Sequence, residues 1–240
     1  MNYSLSEILV IDIETIRSTA SYDELSERLQ KQWDRKAFTL RNPDEITPDE
    51  MYHERAGIYA EFGQIIVVAI GFYVYQKEEW HFRVRAISSD NEKELLEKFI
   101  EVLSKFNPKT TYLCGHNGKE FDFPYLSRRL LVNSLQLPEL LDTAAKKPWE
   151  VNHIDTMELW KFGDRKNYTS LDLLAAIFEI PSSKSDIDGS QVSQVYYEEN
   201  EEGLERIAEY CARDVIVTAQ LLLRLKGQPL INEKNIHIVE

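Results

Sequence analysis

Residues Ile8–Thr15 read ILVIDIET. Five of the first six are apolar and β-favouring; the exception is Asp12, followed two residues later by Glu14. The run predicts a buried strand over roughly Glu7 to Ile13. Alternate side chains of a strand share a face, so Asp12 and Glu14 project side by side. A carboxylate is costly to bury alone, and two together require either a shared proton or a cation between them. With 41 acids in 240 residues an acid-x-acid pair also arises by chance on an exposed strand edge, so the pair gains meaning only from what surrounds it.

Downstream, Arg17 to Phe62 is polar and reads as two helices. SYDELSERLQKQWDRKAF offers a Ser cap with Leu25, Leu29 and Trp33 at helical spacing, and TPDEMYHERAGIYAEF opens with Thr47, Pro48 and Glu50 in a capping pattern. Arg28, Lys31, Arg35, Lys36 and Arg41 gather there. QIIVVAIGFYVY predicts a buried strand and EEWHFRVRAI its hairpin partner. Asn91 to Phe106 is amphipathic at helical period, TTYLCGHN is a further buried strand, and Phe121 to Leu135 reads as a helix with Pro124 in its first turn. VNHIDTMELW predicts a short strand entering a helix, SLDLLAAIF a short helix, Ser182 to Ser190 a polar loop, and Glu201 to Lys226 one long helix. The hairpin rules out an all-parallel sheet, which leaves an α/β chain with a mixed sheet flanked by helices. One domain over 1–240, with a helical insertion at about 17–62, is expected.

Composition narrows the classes. The chain is 43% hydrophobic with few Gly and Pro, enough for a real core and unlike a disordered or fibrous chain. No signal pattern or membrane-length apolar run is present, so a cytoplasmic protein without a membrane partner is expected. Cys114 and Cys211 lie in apolar segments and suggest reduced core thiols. The net charge of −13 argues against avid binding along a duplex, though not against a local site for a strand end where cations reverse the field.

Two further acids stand out. Asp122 lies between Phe121 and Phe123 in GHNGKEFDFPYL, just after a buried strand, where α/β proteins place ligand loops; its ordinary role would be to complement the helix dipole. In EYCARD, Tyr210 and Asp214 are four residues apart and share a helix face flanking the apolar stripe. Asp155 and Glu158 fit a capping pattern, a structural role favoured over a further ligand. His116 and His153 are expected as local hydrogen-bond partners. Lys161, Arg165, Lys166 and Lys184 are read first as solvated surface charge, with contact to a substrate backbone as the alternative.

DIET, HNGKEFD and YCARD resemble, in order, the three motifs of the DEDD superfamily of 3′-to-5′ exonucleases, and the tyrosine four before the last aspartate resembles its tyrosine branch, DEDDy. SLDLLAAIFEIP followed by SKSDIDGSQV is similar to the stand-alone exonucleases related to the proofreading domain of family-B DNA polymerases. The resemblance spans about Ile8 to Leu225. It implies a ribonuclease-H-like, three-layer α/β fold whose mixed central sheet has its second strand antiparallel to the rest. It implies that Asp12, Glu14, Asp122 and Asp214 hold two divalent ions, Mg²⁺ or Mn²⁺, one on Asp12, Glu14 and Asp214 and the other on Asp12 and Asp122. Tyr210 would orient the attacking water, and Asn117 and Phe121 would lie near the terminal nucleotides, although Phe121 reads equally well as core. The expected activity is two-metal hydrolysis of phosphodiester bonds at the 3′ end of single-stranded nucleic acid, DNA favoured over RNA. An exoribonuclease, and a non-catalytic nucleic-acid-binding module on the same fold, are the alternatives; the complete set of acids argues against the second.

Overall fold

The computed structural model describes residues 3–164, 168–181 and 187–239. Its central strand is the one that carries the acid pair, β1 (Ile8–Arg17). It continues past the expected end at Ile13, because β2 (Gly63–Gln76) pairs with it antiparallel from Leu9 opposite Phe72 to Arg17 opposite Gly63. Ladder hydrogen bonds, rather than side-chain preference, carry the strand through its two acids. The register slips between Glu14 and Thr15, which leaves Ile66 of β2 as the extra residue of a bulge.

β2 returns as β3 (Glu79–Ser88) through Lys77 and Glu78, both at positive φ, 52° and 63°. Such a pair makes the turn whose twist matches the strands, here without the Asn or Gly that usually signals it. The two remaining central strands, β4 (Tyr112–Gly115) and β5 (Ile154–Asp155), add in parallel beyond β1. At the other edge β6 (Ile236–Ile238) lies parallel to β3. The order β5-β4-β1-β2-β3-β6 leaves β2 alone running against the rest, as the motifs implied. β6 was not expected; three residues are too few to show an alternation.

Helices cover both faces. α3 (Glu92–Leu103), capped by the Asn91 side chain, and α4 (Asp122–Val132) lie on one. There Leu9, Ile11 and Ile13 pack with Leu95, Phe99, Phe123 and Leu126. α7 (Val192–Leu225) lies on the other, where Ile8, Val10 and Ile16 meet Ile207, Cys211 and Val215. By this alternation Asp12 and Glu14 belong to the row of β1 that faces α7. α5 (Thr156–Lys161) and α6 (Leu171–Ile177) flank it, with Leu174 against Val217 and Leu221.

α4 stops at Val132 rather than Leu135, where Ser134 turns to positive φ. α7 begins before the expected Glu201 and is interrupted at Asn200 (φ 53°, ψ −126°). At the break the two stretches come so close that a Cβ on Gly203 would sit 2.6 Å from the Val195 carbonyl oxygen.

Between β1 and β2 lie α1 (Glu27–Thr39) and α2 (Pro48–Arg55). Ser26 supplies the expected Ser cap of α1, and Ser21 precedes a short 3-10 turn. Thr47 and Glu50 close the expected capping box on α2. This segment has its own small core of Trp33, Tyr52 and Phe62, and the Trp33 indole N–H donates to the Pro48 carbonyl at 2.7 Å. Such burial of a large aromatic is worth several kcal/mol, about 3–5 on truncation to alanine.

Candidate active site

The site begins where β4 ends. β4 pairs with β1 only as far as Val10 opposite Cys114, so the edge of β1 beyond it is free on that side. The chain turns through Asn117, at φ 62°, and starts α4 at Asp122. The Asp122 carboxylate fills the gap: its Oδ1 accepts the Ile13 backbone N–H at 3.1 Å. That peptide lies between Asp12 and Glu14. From the other face, the Cys211 thiol of α7 donates to the Asp12 side chain (3.4 Å to Oδ2) and lies 3.5 Å from the Asp12 carbonyl oxygen. Tyr210 and Asp214 flank Cys211 on α7, with the Tyr210 hydroxyl on the same helix face as the Asp214 carboxylate and close enough to lower its pKa. Arg213 and Arg206, the nearest cations along the helix, instead pair with Glu209 and Glu199.

The loop before α4 is held by Asp155. Its carboxylate accepts the backbone N–H groups of Asn117 and Lys119 as well as those of Met157 and Glu158 at the start of α5. The capping expected of Asp155 therefore also fixes the loop carrying Asn117. His116 bonds the Thr156 hydroxyl and the Thr169 carbonyl, and His153 bonds the Leu140 carbonyl.

Two cavities of about 670 and 470 Å³ adjoin above Asp12, sharing Asp12, His116, Tyr168, Gly189 and Asp214. Tyr210 lines the first, and Glu14, Asn117, Phe121 and Asp122 line the second. All seven candidate residues from the sequence thus border one cleft. The Phe121 ring packs on Tyr125 at 5.4 Å and joins the α3–α4 core, and the residue also lines the cleft. Tyr168 was missed, since nothing in its surroundings in sequence marks it. So was the cleft wall made by His53, Glu54, Gly57 and Ile58, which only long-range packing brings there. Arg165, Lys166 and Lys184 lie outside the described residues, as does part of the expected 182–190 loop.

The electrostatics are those of a site built for positive charge. Burial, then Asp122, Glu14 and Asp214, raise the Asp12 carboxyl well above its ordinary range. Burial, Asp214 and Asp122 do the same to Glu14. Burial raises Asp122 to about 7 against its two backbone hydrogen bonds, and Asp214 to about 6 against the lowering effect of the Tyr210 hydroxyl. Among the described residues no lysine or arginine pairs with any of the four. Donor atoms of Asp12, Glu14 and Cys211 lie within 4.8 Å of one another. Burial and the neighbouring carboxylates keep the thiol protonated, which makes it a hydrogen-bond donor to Asp12, and leaves the carboxylate oxygens as the atoms that could hold a metal. Hard oxygens suit Mg²⁺ or Mn²⁺. The buried Asn117 Oδ1, without a partner among the described residues, is a further acceptor at the cleft.

Residues 59–230 match the family described as "Predicted 3'-5' exonuclease related to the exonuclease domain of PolB". The chain belongs to that family. It is similar to a DNA polymerase of Pyrococcus horikoshii, 27% identical over 212 residues that make up 76% of this chain and 16% of the relative. A DNA polymerase of Pyrococcus glycovorans is 27% identical over 169 residues, 61% of this chain and 21% of the relative. The chain thus spans about a fifth of the length of these relatives. The solved family-B DNA polymerase of Pyrobaculum calidifontis superimposes on 90% of the chain and 24% of its own, with a TM-score of 0.53 at 16% identity, a likeness of fold. Among the described residues no helix is long and apolar enough to cross a membrane.

Proposed function

We propose that the chain, read as one exonuclease domain with a helical insertion at about 17–62, removes nucleotides one at a time from the 3′ end of a single nucleic-acid strand, DNA before RNA. One observation carries the reading. The Asp122 carboxylate bonds the peptide between Asp12 and Glu14, while α7 holds Cys211, three residues from Asp214, against Asp12. Three distant segments meet, and every acid has an acidic neighbour in place of a cationic one. Asp12, Glu14, Asp122 and Asp214 would hold two divalent ions, Mg²⁺ or Mn²⁺. Bound ions of this kind acidify a water and stabilise the charge gathering on the oxygens of a phosphodiester in displacement.

The chain's own side chains do the rest. Burial and the three carboxylates Asp214, Glu14 and Asp12 push the Tyr210 phenol further up from its ordinary value. It therefore stays protonated, and it orients the attacking water through its hydroxyl rather than taking a proton. The water oxygen bonds to phosphorus and the bond from phosphorus to the 3′ oxygen breaks. The products are a nucleoside 5′-monophosphate and a strand one nucleotide shorter with a free 3′-hydroxyl. Asn117 Oδ1 accepts a hydrogen bond from a donor on the terminal nucleotide, and the exposed side of Phe121 stacks on its base.

The test is degradation of matched 5′-labelled DNA and RNA strands with Mg²⁺, with Mn²⁺ and with EDTA. A ladder descending from the 3′ end, faster for DNA and stopped by EDTA, is expected. Shortening that survives EDTA, or none with either metal, overturns the reading, and faster loss of RNA reverses the sugar preference.

A further inference from the structure

In this acidic chain the helix α1 carries a basic face. In α1, Arg28, Lys31, Arg35 and Phe38 follow one another at spacings of three, four and three. On a helix these positions form one stripe. It lies opposite Trp33 and Ala37, the buried side of the same helix. All four residues are exposed, Phe38 by 92%. Among the described residues none forms an ion pair with the three cations. The nearby acid Asp34 instead accepts a hydrogen bond from the Tyr22 hydroxyl. A large aromatic left in water in line with three unpaired cations is unexplained by packing.

The position of α1 relates the stripe to the cleft. Trp33 of α1 packs against Tyr52 of α2, and Lys36 lies 3.9 Å over the Tyr59 ring. Between those two aromatics the chain presents His53, Glu54, Gly57 and Ile58 to the cleft. One wall of the cleft and the basic stripe therefore belong to the same small packed unit. Residues 18–58 also precede the family match at 59–230, so the stripe is a feature of this chain rather than of that match.

We propose that the stripe Arg28, Lys31, Arg35 and Phe38 holds the body of the nucleic-acid strand whose 3′ end is in the cleft. This rests on the exonuclease reading and adds a second contact region to it. The occupant follows from charge: on a chain of net charge −13 a row of three unpaired cations matches a polyanion, and the free aromatic at its end adds a base platform. The stripe is about 15 Å long at 1.5 Å per residue. At about 3.4 Å per stacked nucleotide it covers about four. Guanidinium and ammonium groups would meet phosphates, which makes the contact indifferent to sequence.

The experiment compares the stripe intact with Arg28→Ala, Lys31→Ala and Arg35→Ala combined, and separately with Phe38→Ala. Binding of labelled strands of 5 and about 20 nucleotides is read by fluorescence anisotropy on the 240-residue chain carrying Asp122→Asn in EDTA, so that turnover is suppressed. The long strand is expected to bind at least tenfold more tightly than the short one, and the triple variant to lose that advantage. The slope of log affinity against log salt should fall by about 2, three phosphates at about 0.7 each. Phe38→Ala should weaken the long strand about fivefold or more. In active chain the triple variant should raise KM for the long strand and leave kcat unchanged. Equal affinity of the triple variant for the long strand, at an unchanged melting temperature, overturns the proposal. So does stripe-dependent binding to anionic lipid vesicles without any to the strand. The two readings separate: stripe-dependent binding by a wild-type chain that shortens no strand removes the exonuclease, whereas turnover with unchanged KM in the triple variant removes only the stripe.

Discussion

Asp122 has two jobs that substitution can pull apart. Its Oδ1 completes the edge of β1 by accepting the Ile13 N–H, and its charge adds to a crowded acidic site. Asp122→Asn keeps an acceptor of the same shape and removes the charge. Activity should fall by about 10²–10³-fold or more, the scale for loss of one electrostatic group at a reacting centre, while the metal-free chain melts no lower than wild type. A fall in melting temperature instead would mean that the carboxylate is needed for the fold. Tyr210→Phe should slow turnover about tenfold with divalent-ion affinity unchanged, which titration calorimetry checks. The acids also predict how stability varies with pH without metal. Folded Asp122 and Asp214 hold protons up to about 7 and 6, against about 3.8 for an ordinary aspartate. Between these values the folded chain binds more protons than the unfolded one, so stability falls as pH rises. The contribution is complete below about pH 3.8 and lost above about 7. In EDTA the melting temperature should drop between pH 5 and 8, and Mn²⁺ should flatten that drop; a rise with pH would contradict the burial of the acids. At this scale the sequence was most legible. A period of two places Asp12 beside Glu14, and a spacing of four places Tyr210 beside Asp214. The bond from Ile13 to Asp122 was not legible, because it depends on β4 stopping at Gly115.

Elements joined by a buried charge pair set the angle at which α4 presents Asp122. Glu92, the first residue of α3, is 7% exposed and accepts from Arg129 of α4, the Ile65 N–H of β2 and the Asn133 amide. Three elements are thereby tied through one carboxylate. Removing it as Glu92→Ala strands a buried guanidinium, which costs about 3–5 kcal/mol. For a chain of this size about 2–4 °C is lost per kcal/mol, so the melting temperature should fall by about 10 °C. Replacing both Glu92 and Arg129 by Leu and Met should lose less, because no charge is left alone. If the single and double variants melt alike, the pair does not bind α4 to the sheet. Side-chain caps were read from sequence at Thr47 and Asp155, and the structure adds caps by Asn91 and Ser170. The break of α7 at Asn200 was not: the stretch before it had not been read as helix, and the close approach of Gly203 to Val195 at the break depends on the folded backbone.

Across the whole molecule, the chemistry sits over the central strand and one outer edge of the sheet is closed separately. The cleft forms over β1, where β4 ends and α4 and α7 converge. The far edge is closed by the segment after α7. There the Gln220 side chain accepts the Ile231 N–H and donates to the Ile231 carbonyl, Asn235 bonds Glu79, and β6 pairs with β3. None of these residues borders the cavities that hold the acids. This edge was invisible in the sequence, since its strand has three residues and its anchor, a buried glutamine on a long helix, looks like any solvent-facing position. A chain stopped after Gln228 would leave the Gln220 amide buried without partners and uncover Phe82 and Val84 of β3. Losing those two hydrogen bonds alone costs roughly 2 kcal/mol at about 1 each, or about 4–8 °C, and the exposed apolar surface adds to it. Turnover of a short strand at 25 °C should stay within about twofold, because α7 still holds Tyr210 and Asp214 through Ile207, Cys211 and Val215. Thermal melting and single-turnover rates on the same preparation check both halves. A truncated chain that keeps its melting temperature but loses its rate would mean that the far edge acts on the cleft through α7, and that the two functions share one mechanical unit.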